Sequence, residues 1–430
     1  MKIIDTAKKY EDYIINLRRY FHENPELSGR EENTVARICR ELAAMGIDYI
    51  DIPNGGILGI VKGERDNGRA VLLRADIDAL PVQETDENLK HRRTCKSKTD
   101  GVMYACGHDG HTAMLLGTAK ILLEKKASIE GTVYLCFERG EEATDNMRQI
   151  IAYIETHGIK VDSCFTIHLA ATLESGKFGL NDKDMLACAM LFDVTLEGQG
   201  GHGSRPDASV NPIDAFVAIY NGLLSIRLQK IDPYKTLTYS VGAFNSGNAI
   251  NVIPQTARFG GTMRTFDREG AGMVFYNELK TLIENTCRAY HCKPTYNLYT
   301  IPGLATVNDP ACAQFARQLI ADQVGAENVV ATEPWMGGDS FSHYQRMWPG
   351  VYTFLGIADE EKGTGAAHHN HMFDIDESVL YKGSGAAAAY ALGFLAEGPE
   401  TESRKSKITY REVMVTLGKE KDIPYVYGEE

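Results

Sequence analysis

The sequence predicts an α/β fold in which a mostly parallel, helix-covered sheet is interrupted by a smaller α+β module. Two observations predict it. Short apolar runs alternate with helical patterns over residues 6–168, which is typical of a parallel sheet. Between residues 187 and 300 the strand-like runs alternate apolar and polar residues instead, as strands with one solvated face do. The sequence therefore predicts one domain that is split by an insertion in the chain order.

In the first part of the chain, the pattern of residues predicts each helix and strand of the parallel-sheet domain in turn. Residues 31–45 have helical spacing, and Gly46 is placed to end that helix. Short continuous apolar runs predict buried strands, because both faces of a parallel sheet are covered. The predicted helices cover residues 6–20, 31–45, 111–125 and 150–157. The predicted strands cover residues 56–61, 70–73, 132–137 and 161–168.

The middle of the chain has the order β-α-β-β-α-β, which predicts a small α+β module. Its strands are predicted at residues 188–199, 236–244, 258–264 and 294–299, and its helices at 212–229 and 270–290. After Pro302 the α/β pattern returns, with helices near 309–324 and 380–396. We therefore predict a main domain formed by residues 1–186 and 301–398, an inserted domain at 187–300 and a C-terminal extension at 399–430.

Composition excludes several classes of protein. The 430 residues contain 45 Lys and Arg against 58 Asp and Glu, a net charge of -13, which argues against a nucleic-acid partner. Nine scattered cysteines without a CxxC pair indicate reduced thiols and no disulfide scaffold. No apolar stretch has the length of a membrane span, and the N-terminus lacks the apolar core of a secretory signal. We expect a cytoplasmic protein without a membrane partner.

The densest group of chemically active residues is the string from Ala105 to His111. It contains four potential metal ligands, Cys106, His108, Asp109 and His111, directly before a predicted helix. Cysteine and histidine suit zinc and other borderline metals. This string alone favours a metal site over a capped helix with a buried thiol.

Further polar residues follow the predicted strands. Glu141 and Glu142 come after the strand at 132–137, His168 ends the strand at 161–168, and Asp78 follows the strand at 70–73. Ligands of open α/β sheets gather at the carboxyl ends of strands. One of two adjacent carboxylates can bind a metal while the other stays free as a base, and Asp78 can hold a ligating imidazole.

A histidine-rich loop, His368-His369-Asn370-His371, comes late in the chain. Together with the earlier residues it gives too many ligands for one tetrahedral centre, and the set suits two metals that share a bridging ligand. Other catalytic templates fail. Residues 198–203 spell GxGxxG, but Pro206 and a polar stretch precede the next helix, which favours a flexible glycine loop over a nucleotide site.

At these residues the sequence resembles the metallopeptidase and amidohydrolase family of carboxypeptidase G, aminoacylase and hippurate hydrolase. Within that family it is most similar to the auxin–amino acid conjugate hydrolases and aminobenzoyl-glutamate hydrolase. The matching strings occur in family order over roughly residues 17–395. They are Leu17-Arg18-Arg19 with His22 and Pro25-Glu26-Leu27, residues 74–81, residues 105–112, Gly200-Gly201-His202, residues 261–266 and residues 373–377.

The resemblance implies a catalytic domain with two divalent metal ions per subunit and an inserted lid that often dimerises. Zinc or manganese is expected, and cobalt or nickel would also suit the ligands. By resemblance, Cys106 bridges the metals, and the other ligands are His108, Glu142, His168 and His369. His369 is preferred over its neighbours because the family's ligand lies four residues before the phenylalanine that is Phe373 here.

The same resemblance implies further roles. Glu141 corresponds to the general acid/base. His202, in the lid, corresponds to the residue that polarises the scissile carbonyl, commonly from the partner subunit. Asn251 and Arg264 resemble lid residues that hold the substrate carboxylate. We therefore expect a homodimer or larger homo-oligomer formed through the lid, in which an isolated monomer is nearly inactive.

Some residues depart from the family pattern. Glu138-Arg139-Gly140 replaces Gln-Pro-Ala, Asn370-His371 replaces Ser-Pro, and Asp339-Ser340 replaces an acidic pair. Asp207 follows Pro206 where a histidine is common. These changes surround the ligands but do not replace them, so they leave the metal chemistry intact and the substrate open. Glu138 and Arg139 indicate either an unusual polar group on the substrate or a compensated local ion pair.

The expected activity is hydrolysis of the amide C–N bond in a small N-acyl amino acid or similar conjugate that carries a carboxylate. Hydrolytic deamination of an aromatic amine and a dipeptidase activity remain alternatives. A non-catalytic metal-binding protein is a further alternative of another class. The presence of Glu141 argues against it, because a protein without activity has no need of a base beside a full ligand set.

Overall fold

The computed structural model describes residues 2–401 and 408–429. Its helices are α1 (Ile3–Lys8), α2 (Glu11–Glu23), α3 (Glu32–Ala44), α4 (His108–Glu124), α5 (Met147–Thr156), α6 (Pro212–Gln229), α7 (Met273–Ala289), α8 (Pro310–Val324), α9 (Phe341–Met347), α10 (Leu380–Glu397), α11 (Tyr410–Thr416) and α12 (Ile423–Tyr427).

Its strands are β1 (Asp48–Ile52), β2 (Gly56–Lys62), β3 (Arg65–Asp76), β4 (Glu130–Glu138), β5 (Ser163–Glu174), β6 (Phe178–Gly179), β7 (Asp184–Leu186), β8 (Cys188–Glu197), β9 (Gly201–His202), β10 (Leu237–Ser246), β11 (Val252–Ile253), β12 (Thr256–Thr265), β13 (Lys293–Tyr299), β14 (Thr306–Val307), β15 (Val329–Val330) and β16 (Gly350–Ala358).

The large sheet of the described chain has eight strands in the order β1-β2-β4-β3-β5-β16-β6-β15. Its central strands β4, β3, β5 and β16 run parallel, and β1 and β2 extend one edge in antiparallel fashion. Residues 70–76 of β3 and 163–171 of β5 are buried throughout. Their continuous apolar character reflects helices on both faces of the sheet. The prediction of a mostly parallel α/β sheet is confirmed.

Helices cover both faces of this sheet. On one face α2, α4, α8 and α10 share a hydrophobic core, and on the other α5, α9, α11 and α12 share a second one. Gly117 on α4 shows why small residues occupy this helix: a Cβ there would lie 2.6 Å from Cγ1 of Ile14 on α2. The close approach of the two helices therefore requires glycine at this position.

Three predicted elements differ from the observed ones. The first predicted helix is interrupted between α1 and α2, where the N–H groups of Lys9 and Tyr10 bond to carbonyls three residues back. Helix α4 begins at His108, three residues earlier than predicted, because Gly107 with φ +91° turns the chain into it. Strand β5 does not end at His168, since its pairing with β16 continues to Ala170 and resumes at Glu174.

The insertion contains a four-stranded antiparallel sheet in the order β10-β12-β8-β13. Helices α6 and α7 pack against it around a separate core that includes Phe192, Phe259 and Phe275. These elements lie between Cys188 and Tyr299 and follow the predicted order β-α-β-β-α-β. The boundaries drawn at 186/187 and 300/301 stay a prediction.

The C-terminal extension contains α11 and α12, which pack against α5. Residues 402–407 and 430 of the predicted extension lie outside the described residues. In the described part of the chain, no helix has both the length and the apolar character needed to cross a bilayer.

Candidate metal centre and active site

The site is built at the carboxyl ends of the central parallel strands. The ladder between β3 and β5 ends at the pair Arg74 and Thr166, so His168 lies just beyond the last paired residues of the two strands. Glu141 and Glu142 follow β4, and Asp78 follows β3. The parallel order of these strands brings to one edge residues that lie far apart in sequence, as expected for an open α/β sheet.

Two groups of potential metal ligands meet at Cys106. The ligand atoms of Cys106, His108 and His168 lie within 4.8 Å of one another, as do those of Cys106, Glu142 and His369. His369 has φ +63°, a backbone conformation that costs a non-glycine residue energy and is concentrated at functional sites. Its N–H donates to the Ala105 carbonyl at 2.8 Å, which holds the histidine loop beside Cys106.

The imidazoles are oriented for ligation. Nδ1 of His108 lies 3.1 Å from Oδ1 of Asp78, and Nδ1 of His168 lies 2.7 Å from the Leu169 carbonyl. Because a carbonyl only accepts, Nδ1 of His168 donates and Nε2 keeps its lone pair. Burial lowers the pKa of His168 well below its usual value, so this ring is neutral. The predicted contact of Asp78 with a ligand-type imidazole is present.

The residues fit a divalent cation. Nε2 of His108 and Oε1 of Glu142 are buried, 3.8 Å apart, and have no hydrogen-bond partner among the described residues. Oε1 of Glu142 also lies 3.3 Å from Nε2 of His369. Buried polar atoms without partners are costly, and a cation would satisfy them together. The mixed donor set of thiolate, imidazole and carboxylate suits zinc and related metals.

His111 differs from His108, the other histidine of this string. Its Nδ1 lies 2.6 Å from Oδ1 of Asp76, and its Nε2 accepts the Leu169 N–H at 2.9 Å. Both ring nitrogens are therefore occupied within the protein. His111 connects α4 to β3 and β5, the two strands that present the site, and its role is to hold this edge together.

Glu141 is the carboxylate beside the ligand groups. Its Oε1 accepts the N–H of Ser340 at 3.0 Å, which orients the side chain toward the cavity. Burial, with the charges of Asp339 and Glu142, raises the pKa of Glu141 well above its usual value. A carboxyl group with a raised pKa is suited to accept and return a proton near neutrality.

The charges of two family departures, Glu138 and Arg139, are each compensated by another residue inside the protein. Arg74 donates to Glu138 at 2.8 Å and to the Ser340 hydroxyl at 2.7 Å, and that hydroxyl in turn donates to Glu138 at 2.5 Å. Arg139 pairs with Glu31 at 2.8 Å. Glu138 and Arg139 are absent from the lining of the cavity. Of the two interpretations offered by the sequence, the compensated ion pair describes these contacts.

A cavity of about 700 Å³ opens above the ligand groups. It is lined by Cys106, Glu141, Glu142, His168 and His369 together with Arg264 of the insertion. Apolar lining residues come from both parts of the chain, among them Leu186, Leu191, Leu304 and Trp335. A volume of this size accommodates a small molecule with a charged and an apolar end.

Two predicted site residues lie elsewhere. His202 is exposed and lines a different cavity of the insertion, where the Ser204 hydroxyl contacts its Nδ1 at 2.7 Å. Asn251 is beside it, since its carbonyl accepts the Gly203 N–H at 2.9 Å. The structure thus places Arg264 and Glu141 on the walls of one cavity but leaves His202 and Asn251 outside the cavity of their own chain.

Sequence reasoning missed several residues of the cavity wall. Trp335 and Tyr352 line the cavity, and together with the buried Phe354 they form an aromatic cluster against His168. His368, which belongs to the histidine-rich loop of the sequence but was not predicted as a ligand, also lines the cavity, and its Nε2 accepts the Ala171 N–H at 3.2 Å. No spacing rule connects these residues, although the position of Tyr352 and Phe354 on a buried strand beside His168 would have indicated them once the strand order was known.

Residues 72–392 match the model of the peptidase family M20/M25/M40. The chain belongs to this family. The M20 assignment agrees with the resemblance drawn from the strings around Cys106 and Asp78, and that prediction is confirmed. This chain is accordingly a hydrolase of the M20 family, and its ligand groups fit the metal dependence expected from the sequence.

Individual M20 proteins are similar to this chain along most of their length. Thermostable carboxypeptidase 2 of Saccharolobus solfataricus is 34% identical over 91% of this chain and 98% of its own. IAA-amino acid hydrolase ILR1-like 2 of Arabidopsis thaliana is 35% identical over 92% of this chain and 89% of its own. A solved Bacillus subtilis structure, described as a dinuclear metal-binding M20 peptidase, is 29% identical, covers 90% of this chain and 99% of its own, and has a TM-score of 0.74.

Proposed function

We propose that this M20 hydrolase cleaves the amide C–N bond of small N-acyl amino acids with the help of two divalent metal ions. The observation that carries the proposal is the cavity that Glu141 shares with Arg264 and the ligand groups. A base, a metal-binding set and a receptor for a carboxylate thus face one space. That combination suits an amide whose amine half is an amino acid.

Cys106, His108, Glu142, His168 and His369 would hold the two metal ions, with Cys106 shared because it belongs to both ligand groups. The donor set accommodates zinc, manganese, cobalt or nickel. When bound, such ions supply Lewis acidity, which activates water and polarises a carbonyl oxygen. Asp78 supports this set by fixing the ring of His108 through its Nδ1.

Glu141 would move the protons. Its carboxylate takes a proton from the attacking water as the oxygen bonds to the amide carbon, and it returns that proton to the nitrogen as the C–N bond breaks. The Ser340 N–H keeps the carboxylate aimed at the cavity. The products are a carboxylic acid and a free amino acid, so atoms and charge balance without a further reactant.

Arg264 and the apolar wall would select the substrate. A guanidinium binds a carboxylate through two parallel hydrogen bonds, which fixes the amino-acid half. Leu186, Leu304 and Trp335 offer an apolar surface to the rest of the molecule. The carbonyl carbon would then be held between the carboxylate receptor and Glu141, as productive attack requires.

A second copy of the chain would complete the site. On α6 the side chains of Val217, Tyr220, Leu224 and Leu228 form one stripe, and each is at least half exposed. Strand β10 is the edge of its sheet and pairs only with β12 in the described chain. An apolar stripe next to a free strand edge suits a two-fold dimer. In such a dimer the partner's lid would bring a second His202 and Asn251 to the cavity.

The decisive experiment on the chemistry is Glu141→Gln, assayed after the stripped protein has been loaded with zinc or manganese. Turnover of N-acyl amino acids should fall by at least about a hundredfold, while metal content stays unchanged. Glu64→Gln, at an exposed position, is the matched control and should leave turnover unaltered. Amide turnover that survives Glu141→Gln would contradict the role of Glu141. Ammonia release from an amino-substituted aromatic acid, without any amide turnover, would overturn the proposed reaction.

Subunit mixing tests the contribution of the partner. Glu141→Gln and His202→Ala should each be inactive alone. If His202 acts across a two-fold interface, each mixed dimer contains one complete site, so an equal mixture should recover about a quarter of full activity. If the mixtures exchange subunits but recover no activity, His202 does not act in the site of the partner subunit.

A further inference from the structure

The cavity has a wall that depends on the C-terminal extension. Helix α9 begins directly after Ser340, whose N–H holds Glu141. Phe341 and Tyr344 of α9 are buried in the core, whereas Ser342 and His343 line the cavity. The same short helix therefore anchors the residue that orients the base and presents an imidazole to the substrate space.

Tyr410, the first residue of α11, fixes that imidazole. Its hydroxyl lies 2.9 Å from Nδ1 of His343. Tyr410 is itself fully buried, and its backbone N–H donates to Oε1 of Glu155 at 2.8 Å. Sixty-seven residues separate the two side chains in sequence, so only the docking of the extension brings them together.

The other ring nitrogen of His343 remains available. Burial, together with the charges of Arg148 and Lys419 and against that of Asp145, lowers the pKa of His343 to about 4. The ring is therefore neutral near pH 7. With Nδ1 engaged by Tyr410, Nε2 has no hydrogen-bond partner among the described residues. A neutral imidazole nitrogen at a cavity wall is suited to an uncharged polar group, such as a hydroxyl.

We propose that His343 binds an uncharged hydrogen-bonding group of the substrate through Nε2, and that Tyr410 is the positioning residue that orients it. This inference rests on the proposed function, because it concerns the substrate of the same cavity. It divides substrate recognition into three parts. Arg264 binds the carboxylate, the apolar wall packs against the hydrocarbon part of the substrate, and His343 favours a hydroxyl over a methyl group at the position that it contacts. Through Tyr410, the C-terminal extension thereby influences which substrates the cavity prefers.

Isosteric substrates test this selection. N-acetylthreonine and N-acetylvaline differ by a hydroxyl in place of a methyl group on the amino-acid side, and N-glycoloyl- and N-propionylalanine differ in the same way on the acyl side. One hydrogen bond corresponds to about a fivefold difference in kcat/KM. We expect the hydroxyl member of one pair to be preferred by about this factor, mainly through KM.

Two variants and a control distinguish an effect of Tyr410 on the position of His343 from an effect on the stability of the fold. His343→Leu should abolish the preference, and Tyr410→Phe should reduce it while kcat for the methyl member stays the same. In the His343→Leu background, Tyr410→Phe should have no further effect on the preference. Tyr427→Phe is the matched control: Tyr427 belongs to the same extension, and its hydroxyl donates to Glu155 without touching His343. It should lower stability by a similar amount but leave the preference intact.

The outcomes are separable. Equal kcat/KM within both pairs for the unmodified protein, or a preference that survives His343→Leu, would overturn the inference. Equal effects of Tyr410→Phe and Tyr427→Phe on the preference would reduce Tyr410 to a structural residue and also overturn its positioning role. If only aromatic amines are turned over, the proposed function fails, and the same variants are compared on a hydroxyl and methyl pair of that amine.

Discussion

Replacing Arg74 by methionine should destabilise the protein strongly, because this guanidinium neutralises a buried cluster of carboxylates. It lies 2.8 Å from both Asp76 and Glu138 and 3.4 Å from Asp339, and its side chain is 1% exposed. These acids have almost no access to water that could replace it. Arg74 also donates to the Ser340 hydroxyl at 2.7 Å.

The size of the effect follows from this burial. Removing one partner of a buried ion pair costs about 3–5 kcal/mol, because the remaining charge stays desolvated. We expect a loss near the upper end, since more than one carboxylate loses its counter-charge. A typical free energy of unfolding is about 5–15 kcal/mol, so a large part of the stability would disappear.

Urea unfolding at constant metal concentration measures this loss, and the same strand supplies the control. Arg65 of β3 pairs with Glu130 at 2.8 Å, but the two side chains are 69% and 31% exposed. Arg65→Met should therefore cost less than about 1 kcal/mol. The double variant Arg74→Met with Glu138→Gln should lose less than the sum of the single changes. A cost below about 1.5 kcal/mol for Arg74→Met, or equal costs at the two positions, would refute the reasoning.

Three further predictions concern ligation, assembly and pH. Asp78→Asn should weaken metal affinity by about 10- to 100-fold, because the amide does not fix the ring of His108 as the carboxylate does. Competition with a chromophoric chelator measures this affinity. Leu224→Glu places a charge in the exposed stripe of α6 and should convert the proposed dimer to monomers in sedimentation experiments, whereas Glu278→Gln on α7 should not. The free energy of unfolding should fall as pH decreases from about 6.5 to about 4, because His343 in the unfolded chain binds a proton that the buried ring excludes. His343→Leu should therefore flatten the dependence of melting temperature on pH in this range. A dependence that is unchanged in this variant would contradict the prediction.

The candidate ligands show how far local sequence reaches. Cys106 and His108 are separated by one residue before a helix, so their proximity is nearly guaranteed by covalent geometry. Glu142 and His168 were placed by a rule about strand ends, which works because parallel strands present their carboxyl ends at one edge. His369 depended on a family resemblance, since no periodicity connects a loop near residue 369 to the Cys106 string.

The fold of the insertion was also accessible from sequence. Alternating residues along β8 and the apolar spacing of α6 identify their elements, because side chains repeat every two residues in a strand and every 3.6 in a helix. The extent of β5 was not accessible, since a strand continues as long as a neighbour offers hydrogen bonds. That neighbour, β16, lies almost two hundred residues later in the chain.

By itself, therefore, the sequence determined the fold class and which residues are candidates for metal ligands and for a base, because each is encoded in residue chemistry over short spans. Only the tertiary structure decided which charges neutralise each other and which side chains share a cavity. Arg74 meets Ser340 across 266 residues, and Tyr410 meets His343 from the C-terminal extension. Such contacts depend on how whole elements pack, and no local pattern of hydrophobicity specifies them.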